Sequence, residues 1–548
     1  MSVRRRRRQS SFYDASFLVE GLFPPENRYR LFRERIHPVM ERARAKLEAL
    51  YCATNGRPGI DPVYLAEVTT LQFMENLPDR QAAMNVELHL GWKYGLGMRV
   101  DEQGCDASTL CVFRERLAQA GLADVVFKEV FHELETAGLA KRRRQRIDST
   151  HVLGHVADMS RLECVRETAR LWLLAMEKAA PGEGRPEVWK AWEERYCHLS
   201  VDWPRQTREQ LQKQLRQAGA DIQAMLAWLD GEGKARREEA PSLLLRRVFG
   251  EQYEITPEGP RERKVTSSGT VVNPHEPQAE WAAKDHGKKT AWIGYKAHVG
   301  ETAPEEGVTV APGAPTEQFL THIETPGAIA SDLQGYAEFV EAQLKADPDA
   351  LRTAYADSAY VSGETLAQAE AQGRELIGPP HPAPGDAEHS AEAFDVNVAE
   401  RTAVCPAGKR SSHCSRIDDA YQGRVHYRFE WGAPCDACER RRACTKSRAG
   451  RRTLCVGEHH DLIQARRRAV DTPEFRRRMR TRAAIEGTIS ELTRLGLRRS
   501  RYRGLAKTRL ANYFIGAACN IRRYVRLLAW RLAHPAGALE AAVVGTSG

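Results

Sequence analysis

A long helical stretch separates the first strand-like segment of the chain from all the later ones. Residues 146–156 (RIDSTHVLGHV) alternate in polarity and are rich in β-branched side chains, which predicts a strand. Residues 160–250 are rich in Leu, Trp, Glu and Arg and predict helices, and strand patterns return only after about residue 265. If all of these strands belong to one sheet, a helical domain must be inserted between its first strand and the others. We place this insertion at residues 158–262.

The segments after this insertion alternate between strand and helix patterns. We predict helices over 333–345 and from about Gly363, and strands at KVTSSGTVV (264–272), WIGYKAHVG (292–300), FLTHIETPG (319–327), LRTAYADSAY (351–360) and ELIGPP (375–380). This mixed order predicts one α/β domain over 141–533. The chain of 548 residues is too long for a single core, which seldom exceeds about 250–300 residues, so two to four structural units are expected.

The amino-terminal part of the chain has a helical pattern. Residues 1–55 begin with the basic run Arg4–Arg8 and continue into a helical arm, and after the break GRPG residues 56–140 predict three or four short helices. Asp106, Ser108 and Thr109 stand where N-cap residues belong. The pattern is typical of a helix-turn-helix and equally of any small helical bundle. The tail 534–548 consists of small residues and is expected to be flexible.

Positive charge is concentrated near the carboxyl end. Between Arg466 and Arg509 there are 15 Lys and Arg against four Asp and Glu, so this segment alone exceeds the net charge of +9 of the whole chain. Such a density is typical of a surface that binds a polyanion, above all nucleic acid. The alternative is a solvated arginine-rich helix.

Several classes of protein are disfavoured by the same sequence. No stretch approaches the roughly 18 apolar residues of a membrane span, and no apolar segment follows Arg4–Arg8 as it would in a secretion signal. We therefore expect a cytoplasmic protein. Neither of the glycine-rich loops that hold nucleotide phosphates is present, so no nucleotide cofactor is expected.

Three acidic residues stand at positions where they could share a site. Asp148 lies within a predicted strand, where Asp is disfavoured, Asp357 ends another, and Glu486 lies beside the apolar face of a predicted helix. Such carboxylates suit Mg²⁺ (or Mn²⁺), and a pair of these ions serves phosphoryl chemistry. Each residue also has an ordinary explanation: Asp148 in a turn, Asp357 as a helix cap, and Glu486 as the partner of Arg482.

Four of the twelve cysteines look organised. Cys435, Cys438 and Cys444 follow one another closely and Cys405 precedes them, a set that could form a tetrahedral Zn²⁺ site of a structural kind. His413, Cys414 and Cys455 are rival ligands, and unliganded thiols are the alternative. The surrounding segment, 390–456, has a turn-rich sequence with too few apolar residues to pack alone, which favours a metal.

Motifs spread over most of the chain carry a family resemblance. They are GRPGIDPVYLAEVTTLQFMENLPDRQA, DASTLCVFRERL, RIDSTHV, WIGYKAHV, FLTHIETPGAIASD, AYADSAYVSGETL, RTRAAIEGTISELTR and RLANYFIGAACNIRR. In this order they resemble the DDE transposases of bacterial insertion sequences. The family's carboxy-terminal signature (Tyr, Arg, Glu, Lys) is matched at Arg482 and Glu486, whereas Met479 and Thr493 replace its Tyr and Lys, and Arg494 follows as a substitute phosphate contact.

The resemblance implies both a fold and an activity. The fold is a ribonuclease-H-like mixed sheet with flanking helices, an amino-terminal helical domain, the helical insertion and a small zinc-ribbon-like insertion. Asp148, Asp357 and Glu486 match the catalytic acids, and the implied activity is cleavage at the element's ends followed by transfer of the 3′-hydroxyl into target DNA. We expect Arg482, Arg494, Arg498, Arg499, Arg501 and Arg503 to contact phosphates, and a homodimer to pair two ends near the nucleoid.

Two other functions fit the same residues less well. A transposase-derived protein that binds DNA without cutting it would not need an intact acidic trio. A ribonuclease-H-like nuclease acting on RNA would not need the amino-terminal helices or the helix that carries Arg482 and Glu486.

Overall fold

The computed structural model of the chain describes residues 12–52, 59–156, 158–179, 185–199, 206–264, 269–283, 291–305, 313–382, 388–419, 423–448 and 450–535. The predictions for Arg4–Arg8, for most of the GRPG break and for the tail after residue 535 lie outside these ranges. Among the described residues, no helix has both the length and the apolar character needed to cross a membrane.

The chain begins with a series of helices that pack together. Their bounds are α1 (Ala15–Leu18), α2 (Arg28–Leu31), α3 (His37–Arg42), α4 (Arg44–Glu48), α5 (Pro62–Met74), α6 (Asp79–Leu88), α7 (Leu90–Gly95), α8 (Ala107–Gln119) and α9 (Val125–Thr136). Every residue of α5 is buried, so this helix forms the centre of the group. Asp106 caps α8 as predicted, and its carboxylate accepts a hydrogen bond of 2.7 Å from the backbone N–H of Ser108.

The first strand is followed by the predicted helices and then by an unpredicted hairpin. Strand β1 (Arg144–Leu153) leads into α10 (Arg161–Ala179), α11 (Trp189–Glu193), α12 (Arg208–Asp230), α13 (Ala240–Gln252), β2 (Tyr253–Thr256) and β3 (Gly259–Glu262). These elements enclose their own apolar core, which contains Trp172, Trp189 and Trp192. These three tryptophans therefore serve packing.

The main sheet has six strands and mixed direction. Its remaining members and the adjoining helices are β4 (Glu280–Ala283), β5 (Ala291–Thr302), β6 (Leu320–Glu324), α14 (Asp332–Ala346), β7 (Thr353–Tyr355), α15 (Gly363–Ala371) and β8 (Glu375–Ile377). The order is β4-β5-β1-β7-β8 with β6 also paired to β5. Strands β1, β7 and β8 are parallel, and β5 is antiparallel to β1, β4 and β6. This is the expected ribonuclease-H-like α/β fold.

One predicted strand is wrong in its described part. Residues 265–268 of the segment 264–272 lie outside the described ranges, and the rest contains only an isolated bridge between Val271 and Glu280. The sheet instead receives β4, which sequence analysis missed. Its sequence EWAA is short and holds no β-branched residue, so it carries little strand signal.

The cysteine-rich segment contains more strand and a better core than its sequence indicates. Its elements are β9 (Asp395–Asn397), β10 (Thr402–Val404), β11 (His413–Asp419), β12 (Arg424–Glu430), α16 (Ala433–Asp436), α17 (Arg441–Cys444) and β13 (Thr453–Gly457), with β11, β12 and β13 in one antiparallel sheet. The expectation that this segment has too few apolar residues to pack was wrong. Phe394, Phe429, Trp431 and Leu454 are buried together and form a small core.

Three helices complete the chain: α18 (His460–Val470), α19 (Pro473–Arg494) and α20 (Leu505–Ala533). Helix α20 packs back against α5, α8 and α9 and against β6. A single apolar core therefore joins the amino-terminal helices, one face of the sheet and the last two helices. Residues alternate along β1, so that Ile147 enters the separate core on the other face of the sheet while Arg146 and Asp148 face α19.

Candidate functional site

Asp148 and Asp357 lie side by side at the centre of the main sheet. Strand β1 is parallel to β7 with Arg146 opposite Tyr355, so the register carries Asp148 level with Asp357 just after β7 ends. Neighbouring strands are about 4.8 Å apart. Two strand-borne carboxylates are thus brought together, as the sequence predicts.

Both aspartates also have the ordinary local roles that the sequence allows. The Oδ1 atom of Asp357 accepts a hydrogen bond of 3.0 Å from the N–H of Ala359 and caps the short 3₁₀ helix Ser358–Tyr360. Oδ1 of Asp148 accepts one of 2.8 Å from the N–H of Ser149. In each case one carboxylate oxygen is held by the backbone, and the other is directed elsewhere.

Glu486 approaches the same place from α19. This helix buries Ile485, Thr488, Ile489 and Leu492, and Glu486 lies at the edge of that buried face. Its side chain is 68% exposed, against 12% for Asp148 and 36% for Asp357. The site is therefore buried on the side of the sheet and open on the side of the helix.

The guanidinium of Arg482 joins the three carboxylates. Its Nη2 lies 2.8 Å from Oδ2 of Asp148 and 4.0 Å from Oδ2 of Asp357, and its Nη1 lies 3.4 Å from Oε1 of Glu486. Arg482 was predicted to contact DNA phosphate, and in this structure it contacts the acidic trio. Three carboxylates from separate elements thus converge on one positive charge.

This convergence bears on whether the site can hold metal. Carboxylate oxygens are the ligands that Mg²⁺ prefers, and the guanidinium is a stand-in cation among them. As the side chains stand, no group of three or more His, Cys, Asp or Glu among the described residues could hold a metal ion. The donor set fits a divalent cation in its chemistry, provided that Arg482 leaves.

A buried ionic cluster lies behind the site and was missed from the sequence. Glu301 on β5 bonds Nε of Arg146 at 2.5 Å, the hydroxyl of Thr488 at 2.8 Å and Nη1 of Arg523 at 3.0 Å. Arg146 also donates to the carbonyl oxygen of Thr481 at 2.8 Å. The cluster ties β1, two residues from Asp148, to α19, two residues from Glu486. The sequence signal was a pair of charged residues, Arg146 and Glu301, inside two strands.

His298 lies on the other side of the sheet from the carboxylates. It is fully buried, and its Nδ1 shares a hydrogen bond of 3.0 Å with the hydroxyl of Tyr360. Burial lowers the pKa of His298 to about 4, partly opposed by Asp332. The side chain is therefore a neutral part of the packing.

The other arginines that were predicted to bind DNA have different surroundings. Arg498 donates a hydrogen bond of 3.1 Å to the hydroxyl of Thr150, and Arg501 donates one of 2.6 Å to the carbonyl of Leu77. Arg501 thereby ties the last part of the chain to the amino-terminal helices. Four of these arginines are exposed: Arg494, Arg498, Arg499 and Arg503.

The four predicted zinc ligands line one cavity. Cys405, Cys435, Cys438 and Cys444 surround a space of about 30 Å³ beside Trp431, and the rival ligands His413, Cys414 and Cys455 are not among its lining residues. Burial raises the pKa of the Cys444 thiol, and the neighbouring thiols raise it further. No disulfide bond joins any of the described cysteines.

Comparison with known proteins identifies two segments of the chain. The family model described as "Transposase DDE domain" matches residues 404–525, which include Glu486, and the "Transposase domain (DUF772)" model matches residues 17–116. Asp148 and Asp357 lie outside both matched ranges. No curated protein matches the sequence.

Proposed function

The chain is a DDE transposase of the insertion-sequence type, and on this premise we propose that it cuts and joins DNA with Asp148, Asp357 and Glu486. The observation that carries the proposal is the convergence of these three carboxylates on Arg482 from two adjacent strands and a helix. A structural cluster of this kind would be covered by other residues. This one is open on the side where Glu486 is exposed.

The family uses divalent metal, and we propose that the trio holds two ions of Mg²⁺ or Mn²⁺. When bound, such ions activate the attacking oxygen and stabilise the leaving oxygen of a phosphodiester. The chain's own part is to hold the carboxylates in position. The sheet fixes the two aspartates, and the Glu301 cluster fixes the helix that brings Glu486.

Arg482 has a second role in the proposed function, which is to bind phosphate. The same guanidinium that neutralises the acids in the absence of substrate is suited to bind a phosphate, because its planar fork matches phosphate as well as carboxylate. A change of partner from the carboxylates to the DNA backbone would free the acids at the time when substrate arrives. The exposed side chains of Arg494, Arg499 and Arg503 would bind further phosphates.

Two steps follow in the proposed reaction. Water first cuts at the element's end and leaves a 3′-hydroxyl, and this hydroxyl then attacks a phosphodiester of the target. Both steps are displacements at phosphorus, so one set of carboxylates serves both and no covalent bond to the protein forms. Since two ends must be joined, we expect a homodimer on DNA.

A structural Zn²⁺ in the cysteine-rich segment stays a prediction. It is supported by the four thiols around one cavity, whereas the described side chains as they stand form no group that could hold a metal. Metal analysis of the purified protein would test whether zinc is bound. About one zinc per chain, lost on replacement of Cys435 and Cys438 by Ser, is the expected result, and a zinc-free folded protein would remove the prediction.

The function is tested with a marked element that carries the native flanking DNA. Wild type should move it in cells and cut its ends in vitro with Mg²⁺, while Asp357→Asn and Glu486→Gln should do neither. Equal activity in all three would refute the catalytic assignment. Specific binding to the flanks without cleavage by wild type would instead indicate a DNA-binding protein, and preferred cleavage of an RNA–DNA hybrid a nuclease of the same fold.

A further inference from the structure

A second arginine-rich site lies on a different face of α19 from the carboxylates. It is a cavity of about 490 Å³ where α19 and α20 meet, with walls made by Thr316, Gln318, Ala484, Gly487, Thr488, Glu491, Arg494, Arg522, Arg523 and Arg526. Sequence analysis singled out Arg494 alone from this set. Nothing in the proposed reaction uses the other three arginines.

The charge of the cavity is strongly positive. Its one acidic residue, Glu491, is bound by Nη2 of Arg523 at 3.0 Å, and Arg523 is also bound to Glu301. Arg522 is half-buried and donates one hydrogen bond of 3.1 Å to the carbonyl of Met74. The side chains of Arg494 and Arg526 are exposed and form no hydrogen bond or ion pair with any described residue. Three positive charges therefore face the cavity without a carboxylate partner.

The lining also indicates what kind of anion would fit. Arginine forks and the hydroxyl of Thr316 are suited to phosphate oxygens. No aromatic side chain is among the described residues that line the cavity, so a nucleobase would find no ring there on which to stack. A phosphate of a nucleic-acid backbone is thus favoured over a free nucleotide.

The cavity stands in a fixed relation to the catalytic trio. Ala484, Gly487, Glu491 and Arg494 recur at helical spacing on one face of α19. Glu486 lies about 160° round the helix from Ala484 and about 80° from Arg494, which is also about 12 Å further along the helix axis. A helix with its side chains is about 10–12 Å across, and a DNA strand rises about 3.4 Å per nucleotide. A strand that passes over α19 would therefore cover the distance in about three nucleotides.

We infer that this cavity binds a backbone phosphate of the DNA about three nucleotides from the bond that is cut, through Arg494, Arg522 and Arg526. The inference rests on the proposed function, which it deepens by adding a second anchor. A phosphate fixed on one face of α19 determines which phosphodiester reaches the carboxylates on another face. The cavity thereby sets the position of the cut.

The test measures binding of a duplex with the native flanking sequence, without added Mg²⁺ or Mn²⁺ so that no cleavage occurs, over a range of salt concentrations. The variant is Arg494→Gln with Arg526→Gln, and the matched control is Arg216→Gln with Lys345→Gln, two exposed cations on α12 and α14. Each phosphate contact contributes about 0.9 to the slope of log affinity against log salt. The cavity variant should lose about one to two from that slope and bind about tenfold more weakly or worse, and the control should match wild type.

Two results would overturn the inference. One is an unchanged slope in the cavity variant, or an equal change in the control, with thermal midpoints showing that both are folded. The other is saturable binding of a free deoxynucleoside monophosphate that the cavity variant loses while its slope on DNA stays as in wild type, since that would assign the cavity to a small ligand.

The result is separable from the proposed function. The inference would survive, and the catalytic proposal fail, if wild type binds with the expected slope but never cuts in Mg²⁺. The catalytic proposal would survive, and the inference fail, if wild type cuts and the cavity variant keeps both the salt slope and the cleavage site of wild type. The cleavage site is mapped at single-nucleotide resolution.

Discussion

Strand β1 and helix α19 are joined by two arginine–carboxylate clusters that lie two residues apart along the strand. In the buried cluster, Arg146, Glu301 and Arg523 are at most 4% exposed in their side chains, and three groups bond to one carboxylate. In the open cluster, Arg482 bonds three carboxylates whose exposure rises to 68% at Glu486. The buried cluster centres on one acid, Glu301, which several donors bind. The open cluster centres on one donor, Arg482, which contacts three acids.

This difference separates a structural cluster from a functional one. Breaking a buried ion pair leaves a charge without solvent or partner and costs about 3–5 kcal/mol, whereas an exposed pair contributes about 0–1 kcal/mol. The buried cluster is therefore fixed, while the open cluster can exchange its cation cheaply. A site that must accept metal and DNA has to be of the second kind.

The largest effect is expected from the acids of the open cluster. Asp357→Asn or Glu486→Gln removes a proposed metal ligand, and the loss of several kcal/mol of transition-state stabilisation lowers the cleavage rate on the order of a thousandfold. Single-turnover cleavage of end DNA in Mg²⁺ measures it. The thermal midpoint should stay close to wild type, and a large fall would show that the open cluster is structural after all.

The buried cluster should respond in the opposite way. Glu301→Gln leaves Arg146 and Arg523 without their shared counter-charge, and we expect a loss of about 3–5 kcal/mol in the free energy of unfolding. Urea denaturation measures it, with Glu341→Gln on the exposed face of α14 as the control, which should change it by less than about 0.5 kcal/mol. If Glu301→Gln does not fold, Arg523→Lys gives a milder form of the same test. Stability equal to the control would remove the distinction between the clusters.

Acid should destabilise the sheet through its buried histidines. Burial lowers the pKa of His298 and of His322 to about 4, below the ordinary value near 6.5. Between these values the unfolded chain binds a proton that the folded one does not, so stability falls as pH falls from about 6.5 to 4. Each histidine contributes up to about 1.4 kcal/mol per pH unit. Thermal midpoints across this range should fall less steeply in His298→Gln, whereas exposed His132→Gln should follow wild type.

A smaller effect than at Glu301 is expected at Arg482. Replacing it by Gln removes the cation of the open cluster, which is partly exposed, and should cost at most about 2 kcal/mol. The free protein should then bind Mn²⁺ more tightly, because the acids have lost their competitor, while affinity for DNA falls. Titration calorimetry with Mn²⁺ measures the change. Weaker binding of Mn²⁺ in Arg482→Gln would show that the guanidinium supports the metal site and does not compete with it.

Much of the fold could be predicted because it is encoded locally. The strand that holds Asp148, the helix that holds Glu486 and the cap at Asp106 each follow from the period or chemistry of a few neighbouring residues. The grouping of the acids followed from strand ends and a helix face. The short strand β4 could not be predicted, because its pairing with β5 and not its own sequence makes it a strand.

The buried cluster and the second arginine site were missed for a different reason. Both depend on residues far apart in sequence, such as Arg146, Glu301 and Arg523, which meet only when α20 returns to the sheet. From the sequence alone an arginine in a basic helix is expected to be solvated, because its neighbours in space are not known. The contact of Arg482 with Asp148 and Asp357, in place of the predicted DNA phosphate, was missed for the same reason.

The return of α20 to the first helices also bears on how the protein is made. On a ribosome the amino-terminal helices emerge early, yet the core that they share with α20 cannot close until the last helix is synthesised. Roughly 370 residues separate α9 from α20, which at about 5–20 residues per second is a delay on the order of half a minute. A gene truncated anywhere before α20 would therefore produce not a smaller working protein but one whose first helices never complete their packing.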